Sequence, residues 1–405
     1  MDGADIVTEQ FPAAARSLRI AMVTETYLPE INGVAMTMGR IVSGLQSRGH
    51  AVQLIRPRQH AADRAADEPL FKEVLHRGVP IPRYDALKLG LPAKQALVRL
   101  WATRRPDIVH VVTEGPLGWS ALAAANKLKL PAATDFHTNF HSYSGHYGMG
   151  WLKKPITAYL RKFHNKAQRT LVPTEALRLE LEGLGFDRLQ VVARGVDTAL
   201  FNPARRSAEL RASWQVCGND PAALYVGRLA PEKNLPLVLR AYRAMCSARP
   251  RLRLVMVGDG PERVRLQREN PQVIFAGMRT GEDLAAHYAS ADLFLFPSVT
   301  ETYGNVTVEA MASGLAVIAF DYAAAQQHIR HARNGVLVPF GATEEFVHLA
   351  VALAETPERA KALGRQARAT TEKLDWSHIV ADFERALLGV AQDAPGLEAR
   401  VYAPA

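Results

Sequence analysis

Glu301 and Glu309 stand eight positions apart in SVTETYGNVTVEAMASG (298–314), with Gly304 and Asn305 between them. Two carboxylates at that spacing suit a ligand rich in neutral hydroxyls, because each accepts hydrogen bonds while the glycine lets the backbone come close. ADLFLFPS (291–298) reads as a strand, and Asn305 to Ser313 reads as a helix ended by Gly314. Glu301 then falls in the strand-to-helix loop and Glu309 more than one turn into the helix. The free amides at Asn305 and Val306 form a helix N-terminus suited to phosphate. The plain alternative is a solvated loop glutamate beside a helix-surface glutamate. YVGRLAPEKN (225–234) weighs against it, since Arg228 and Lys233 follow the first strand of the same half in a loop shaped by Gly and Pro. Two cations at a strand's carboxyl end imply an anion. Near the N-terminus, TETYLPEINGVAMTMGRIV (24–42) follows another strand, and Gly33 would let a second helix N-terminus approach the same phosphates. Phosphate donors combined with carboxylates for hydroxyls describe a site for a sugar nucleotide.

Other motifs narrow the chemistry. VGDGPER (257–263) lacks the third glycine of a dinucleotide fingerprint, which argues against a nicotinamide cofactor. No D-x-D occurs in the chain, so the usual carboxylate clamp for a metal-bound diphosphate is missing, and Arg228, Lys233 and helix dipoles take its place. His137, His141 and His146 share one segment, but no carboxylate or cysteine there completes a zinc set, so no metal is expected. Cys217 and Cys246 are too few for a disulfide framework and are expected to pack in the core.

The elements that must position these residues follow from the apolar runs. LRIAMVT, AVQLIRP, DIVHVVT, PAATDFH and RTLVPT alternate with helical stretches in the first half; AALYVGR, RLRLVMVGDG, QVIFAG, ADLFLFPS, LAVIAF and GVLVPF do so in the second. Near-continuous hydrophobic runs belong to strands covered on both faces, and in such open α/β sheets ligands bind at the carboxyl ends. The 405 residues are too many for one ordinary core. We therefore expect two Rossmann-like, doubly wound domains facing across a cleft, at 18–200 and 215–389, with a linker near residues 195–220. Short tails at 1–17 and 390–405 flank them. A helical stretch from Thr343 to about Gly389, interrupted near Pro357 and Trp376, closes the second domain and can cross back to the first.

At this point the chain resembles the retaining glycosyltransferases of family 4, which have the GT-B fold. The likeness rests on the E-x7-E of Glu301 and Glu309, the G-R-L-x-P-E-K-N run, the N-G-V loop and the G-V-D at 195–197, and it extends from Ser17 to about Gly389. It implies that Glu309 binds the nucleotide ribose, that Glu301 approaches the donor-sugar hydroxyls, and that Arg228 and Lys233 hold the diphosphate. His137, in DFHTNF, matches a histidine beside the transferred sugar. Asn32-Gly33 replaces the family's frequent G-G-x-x-x-H loop, a departure on the acceptor side. DFHTNFHSYSGHYGMG and the 301–325 segment are similar to GDP-mannose-dependent α-mannosyltransferases and to glycolipid-forming relatives. The resemblance further implies metal-independent transfer on one sugar face, with the leaving phosphate accepting the acceptor's proton. A UDP-hexose-dependent glycolipid synthase, a GT-B epimerase or phosphorylase, and a non-catalytic sugar-nucleotide-binding protein are the other readings.

A net charge of +9 and a pI near 9.6 point to an anionic partner. No zinc-finger spacing or aromatic ribonucleoprotein motif favours nucleic acid. No apolar run approaches the roughly 20 residues of a spanning helix, and the first residues have no apolar signal core, so a cytoplasmic enzyme is expected. WLKKPITAYLRKFHNKAQRT (151–170) places Leu152, Ile156, Tyr159, Leu160 and Phe163 at helical spacing amid Lys153, Lys154, Arg161, Lys162, Lys166 and Arg169. Packing on the first domain accounts for the stripe. The basic face is expected to dock on an anionic membrane, where a lipid or glycan acceptor is glycosylated.

Overall fold

The computed structural model describes residues 17–30, 32–81, 84–137, 153–218 and 220–393, with only the backbone described for Ile81, residues 84–87 and Lys153. His141, His146 and Leu152 lie outside the described residues, as do nearly all of both terminal tails.

In the first lobe the apolar runs become β1 (Arg19–Val23), β2 (Ala51–Pro57), β3 (Asp67–Glu68), β4 (Phe71–His76), β5 (Gly78–Ile81), β6 (Tyr84–Gly90), β7 (Ile108–Val111), β8 (Ala132–Asp135), β9 (Arg169–Val172) and β10 (Leu189–Val191). In the second they become β11 (Ala222–Val226), β12 (Arg253–Val257), β13 (Ile274–Gly277), β14 (Leu293–Phe296), β15 (Ala316–Phe320) and β16 (Val336–Val338). The sheets are ordered β10-β9-β8-β7-β1-β2-β4-β3 and β13-β12-β11-β14-β15-β16, with β5 and β6 a separate antiparallel hairpin. The second sheet, counted in chain order, reads 3-2-1-4-5-6; the parallel strands of the first read 7-6-5-4-1-2-3. Strand order reverses between β1 and β7 in one lobe and between β11 and β14 in the other. Ligands bind outside the carboxyl ends of strands at such switch points. The fold is GT-B.

The first sheet is mixed at its edge, because β3 pairs antiparallel with β4. Sequence reading missed β3 to β6 and β10. FKEVLH in β4 mixes polar with apolar residues, and β10 is three half-buried residues long, so neither shows the continuous apolar run of a two-sided strand. Cys217 is exposed, which corrects the core placement expected for it, whereas Cys246 is partly buried and packs against the second lobe's core.

The C-terminal stretch forms helices Thr343–Glu355, Pro357–Thr371 and Trp376–Gln392. Pro357 starts the second with its fixed φ, and the Asp375 side chain caps the third by accepting from the Ser377 amide at 2.8 Å. This last helix lies on the first lobe. Ile379, Phe383, Leu387 and Val390 recur at helical spacing and are buried with Leu18, Ile20, Met38 and Ile41. Glu384 ties it there, bonding Arg48 Nη2 and His50 Nε2, each at 2.6 Å. Residues 390–392 are therefore helix rather than tail. Phe201 and Trp214 are buried in the second lobe's core, so that lobe begins before residue 215. Two backbone connections run side by side between the lobes, joined by the Val196 amide donating to the Leu374 carbonyl at 2.9 Å.

Candidate active site

The switch point of the second sheet brings together two loops distant in sequence. Arg228 and Lys233 follow β11; Glu301 and the helix Asn305–Ala312 follow β14, its neighbour. Lys233 Nζ reaches Glu301 Oε1 at 2.5 Å, and Ser298 Oγ donates to the same oxygen at 2.7 Å. Both side chains of the ion pair are mostly buried. Arg228 stands nearer solvent, 3.8 Å from the buried Glu232. Gly304 adopts φ 89°, ψ 63°, the left-handed region, and gives the helix no side-chain cap. The first amides, at Asn305 and Val306, thus keep their capacity for an external acceptor. Glu309 sits deeper on this helix. Burial pushes its carboxyl up to about 7, against the pull of the Tyr288 hydroxyl, which donates to Oε2 at 2.9 Å.

The other lobe meets this site across the cleft. Gly33 opens the helix Gly33–Ser47, and a Cβ placed on it would lie 3.8 Å from Asn305 Nδ2. The two helix starts therefore face each other. The Asn32 side chain already accepts from the Val34 and Ala35 amides, at 3.1 and 2.9 Å, so this helix end has less capacity for phosphate than its glycine suggested.

His137 follows β8 and is clamped on both ring nitrogens. Arg194 Nη2 donates to Nδ1 at 2.5 Å, so the proton of the neutral ring sits on Nε2 and is donated to Asp135 Oδ2 at 2.9 Å. Burial and the Arg194 charge hold the ring below its ordinary range, against the pull of Asp135. Burial alone would raise Asp135; the His110 and His137 rings beside it instead hold the carboxylate well below the usual range. The Arg194 carbonyl in turn accepts from the Tyr303 hydroxyl at 3.0 Å, and Tyr303 adjoins Gly304. The His137 clamp and the loop before Asn305 are thus one hydrogen-bonded unit spanning the lobes.

Sequence reading missed Tyr288, Arg194, Asp135 and Ser298. Asp135 was recoverable, because positions i and i+2 of an extended chain share a face. It also missed a buried pair at the first lobe's switch point. Glu25 follows β1 and accepts from the Leu117 amide at 3.2 Å; burial pushes it up to about 7, the Leu117 bond opposing and buried Glu114, which follows β7, adding.

Comparison with known proteins identifies the family. Residues 31–200 match the glycosyltransferase family 4 profile, and residues 220–356 match that of glycosyl transferases group 1. A GDP-mannose-dependent α-mannosyltransferase from Mycolicibacterium smegmatis is 34% identical over 376 residues, 91% of this chain and 98% of the relative. The chain belongs to glycosyltransferase family 4. An α-monoglucosyldiacylglycerol synthase from Streptococcus pneumoniae is 28% identical, over 75% of this chain and 71% of the relative. Among solved structures, sucrose-phosphate synthase from Thermosynechococcus elongatus superposes with a TM-score of 0.75 at 19% identity, covering 93% of this chain and 99% of the other. That likeness concerns the fold.

Proposed function

We propose that the protein transfers mannose from GDP-mannose, with retention of configuration and without a metal ion, to a lipid or glycan acceptor at the cytoplasmic face of the membrane. The observation that carries this reading is the convergence at one switch point of Lys233, Glu301, Arg228 and an uncapped helix end, with Glu309 a turn below. Arg228, Lys233 and the amides of Asn305 and Val306 stabilise charge growing on the leaving diphosphate, the role a metal plays elsewhere. Glu309 accepts from the ribose hydroxyls. Glu301 releases Lys233 to the phosphate and turns to the sugar hydroxyls. His137, held by Asp135 and Arg194, is a fixed wall beside the sugar, and Gly33 closes the cleft from the other lobe. The leaving phosphate takes the acceptor hydroxyl's proton on the face from which it departs.

The donor rests on the 34% identical mannosyltransferase, and the lipid acceptor on the diacylglycerol-glycosylating relative. The glucosyl group in that relative's name favours a second reading, transfer of a hexose other than mannose, with a UDP-hexose as the donor. Nucleotide competition separates them: GDP should raise the melting temperature and compete with labelled donor while UDP does neither. Protection by UDP alone would reject GDP-mannose.

A further inference from the structure

A cavity of about 820 Å³ opens at the opposite end of the second lobe's sheet. Pro221 just before β11, Asp292 just before β14 and Gly314 before β15 line it, so it lies at the amino ends of the strands, away from Arg228 and Glu301. Its walls carry six cations, Arg206, Arg211, Arg249, Lys361, Arg365 and Arg368, against two carboxylates, Asp292 and Glu358. The acids are already committed: Asp292 pairs with Arg206 at 2.7 Å and Arg211 at 3.0 Å, and Glu358 pairs with Lys361 at 3.0 Å. Arg368 Nη1 donates to the carbonyls of Thr198, Phe201 and Ala312. Among the described residues, Arg249 and Arg365 have no side-chain hydrogen bond or ion pair, so their charge is uncompensated. A second observation points the same way. Ser313 lines the cavity, is 3% exposed, and its Oγ has no hydrogen-bond partner among the described residues. Buried hydroxyls of this kind ordinarily find a partner. Leu293, Leu353 and Ala354 supply an apolar floor.

We propose that this cavity is a second ligand site, distinct from the transfer site, that binds a phosphate group through Arg249 and Arg365, with the Ser313 hydroxyl donating to it and the apolar floor accepting the ligand's carbon portion. Guanidinium forks match phosphate oxygens bidentately, which fits arginine rather than lysine at the two uncompensated positions. The phosphate can come from a soluble phosphorylated compound or from a phospholipid headgroup, and the volume accommodates either.

The test titrates the full-length protein at low salt with inorganic pyrophosphate, glycerol 3-phosphate and dihexanoyl phosphatidylglycerol, by calorimetry. Wild type and Lys233→Ala should bind at least one probe alike. Arg249→Ala/Arg365→Ala should weaken that binding at least tenfold, and Ser313→Ala, a minimal change at a buried site, should weaken it measurably. Binding of the soluble phosphates assigns a soluble ligand, and binding of the lipid alone assigns a headgroup; both support the site. No binding of any probe, or binding that the double variant keeps undiminished, would overturn it.

Discussion

Glu309 carries a charge decision at neutral pH. Its folded-state value of about 7 lies above the ordinary 4.5, so it stabilises the fold fully below 4.5 and that contribution is lost as pH rises through about 7. Ribose hydroxyls need the carboxylate as acceptor, so nucleotide affinity should rise between pH 6 and pH 8, and binding near pH 7 should release a proton. Calorimetry in buffers of different ionisation enthalpy reads that proton, and Glu309→Gln should abolish it. Glu309→Ala should cost about 1.5–3 kcal/mol of nucleotide binding, the worth of a hydrogen bond to a charged group. Lys233→Ala should lower turnover about a hundredfold, as loss of one preorganised donor does, with little change in melting temperature; a parallel loss of fold would count against a role in charge stabilisation. Glu301, Glu309, Arg228 and Lys233 were legible because each lies in a short motif at a strand's end. Tyr288 was not, since its partner Glu309 is 21 residues away on another helix. Nor was the engagement of both nitrogens of His137, which requires Arg194 from a segment 57 residues on.

At the scale of elements, the site follows from which strands are neighbours. β11 and β14 are adjacent although two strands intervene in sequence, and this alone places Lys233 on Glu301. The long parallel strands could be read from their unbroken apolar runs, and Pro357 and Gly314 marked helix boundaries as their backbone preferences require. The β5–β6 hairpin and edge strand β3 could not, being short and half-polar. The crossing between lobes depends on a close approach. A Cβ on Gly195 would lie 2.7 Å from Trp376 Cδ2, in the link that pairs Val196 with the Leu374–Asp375 segment. Gly195→Ala should therefore destabilise the protein by about 1–3 kcal/mol through overpacking, measured by denaturant unfolding. Gly183→Ala, with open space around it, is the matched control and should be neutral or slightly stabilising.

For the whole molecule, the last helix makes the two lobes one body by returning to the first. No helix among the described residues is long and apolar enough to cross a membrane. In the helix Lys153–His164, Leu160 and Phe163 are buried and Ile156 partly so, while Tyr159, Lys154, Arg161 and Lys162 are exposed, so only part of the apolar stripe serves packing and the charge faces outward. Each such cation contributes about 1 kcal/mol near an anionic leaflet. Sedimentation with anionic vesicles should recover the protein at low salt, lose it as salt rises, and fall when these three residues are made neutral; equal recovery with neutral vesicles would leave a soluble glycan as the acceptor. The most direct measurement is transfer itself. Purified protein is incubated with radiolabelled GDP-mannose, UDP-glucose or ADP-glucose and a membrane lipid extract, and the label in the organic phase and the released nucleotide are counted. Equimolar GDP and lipid-linked mannose in the α configuration, with the signal nearly lost in a folded Lys233→Ala, is the expected result. Tight nucleotide binding with no transfer from any donor would contradict catalysis and leave a sugar-nucleotide-binding protein.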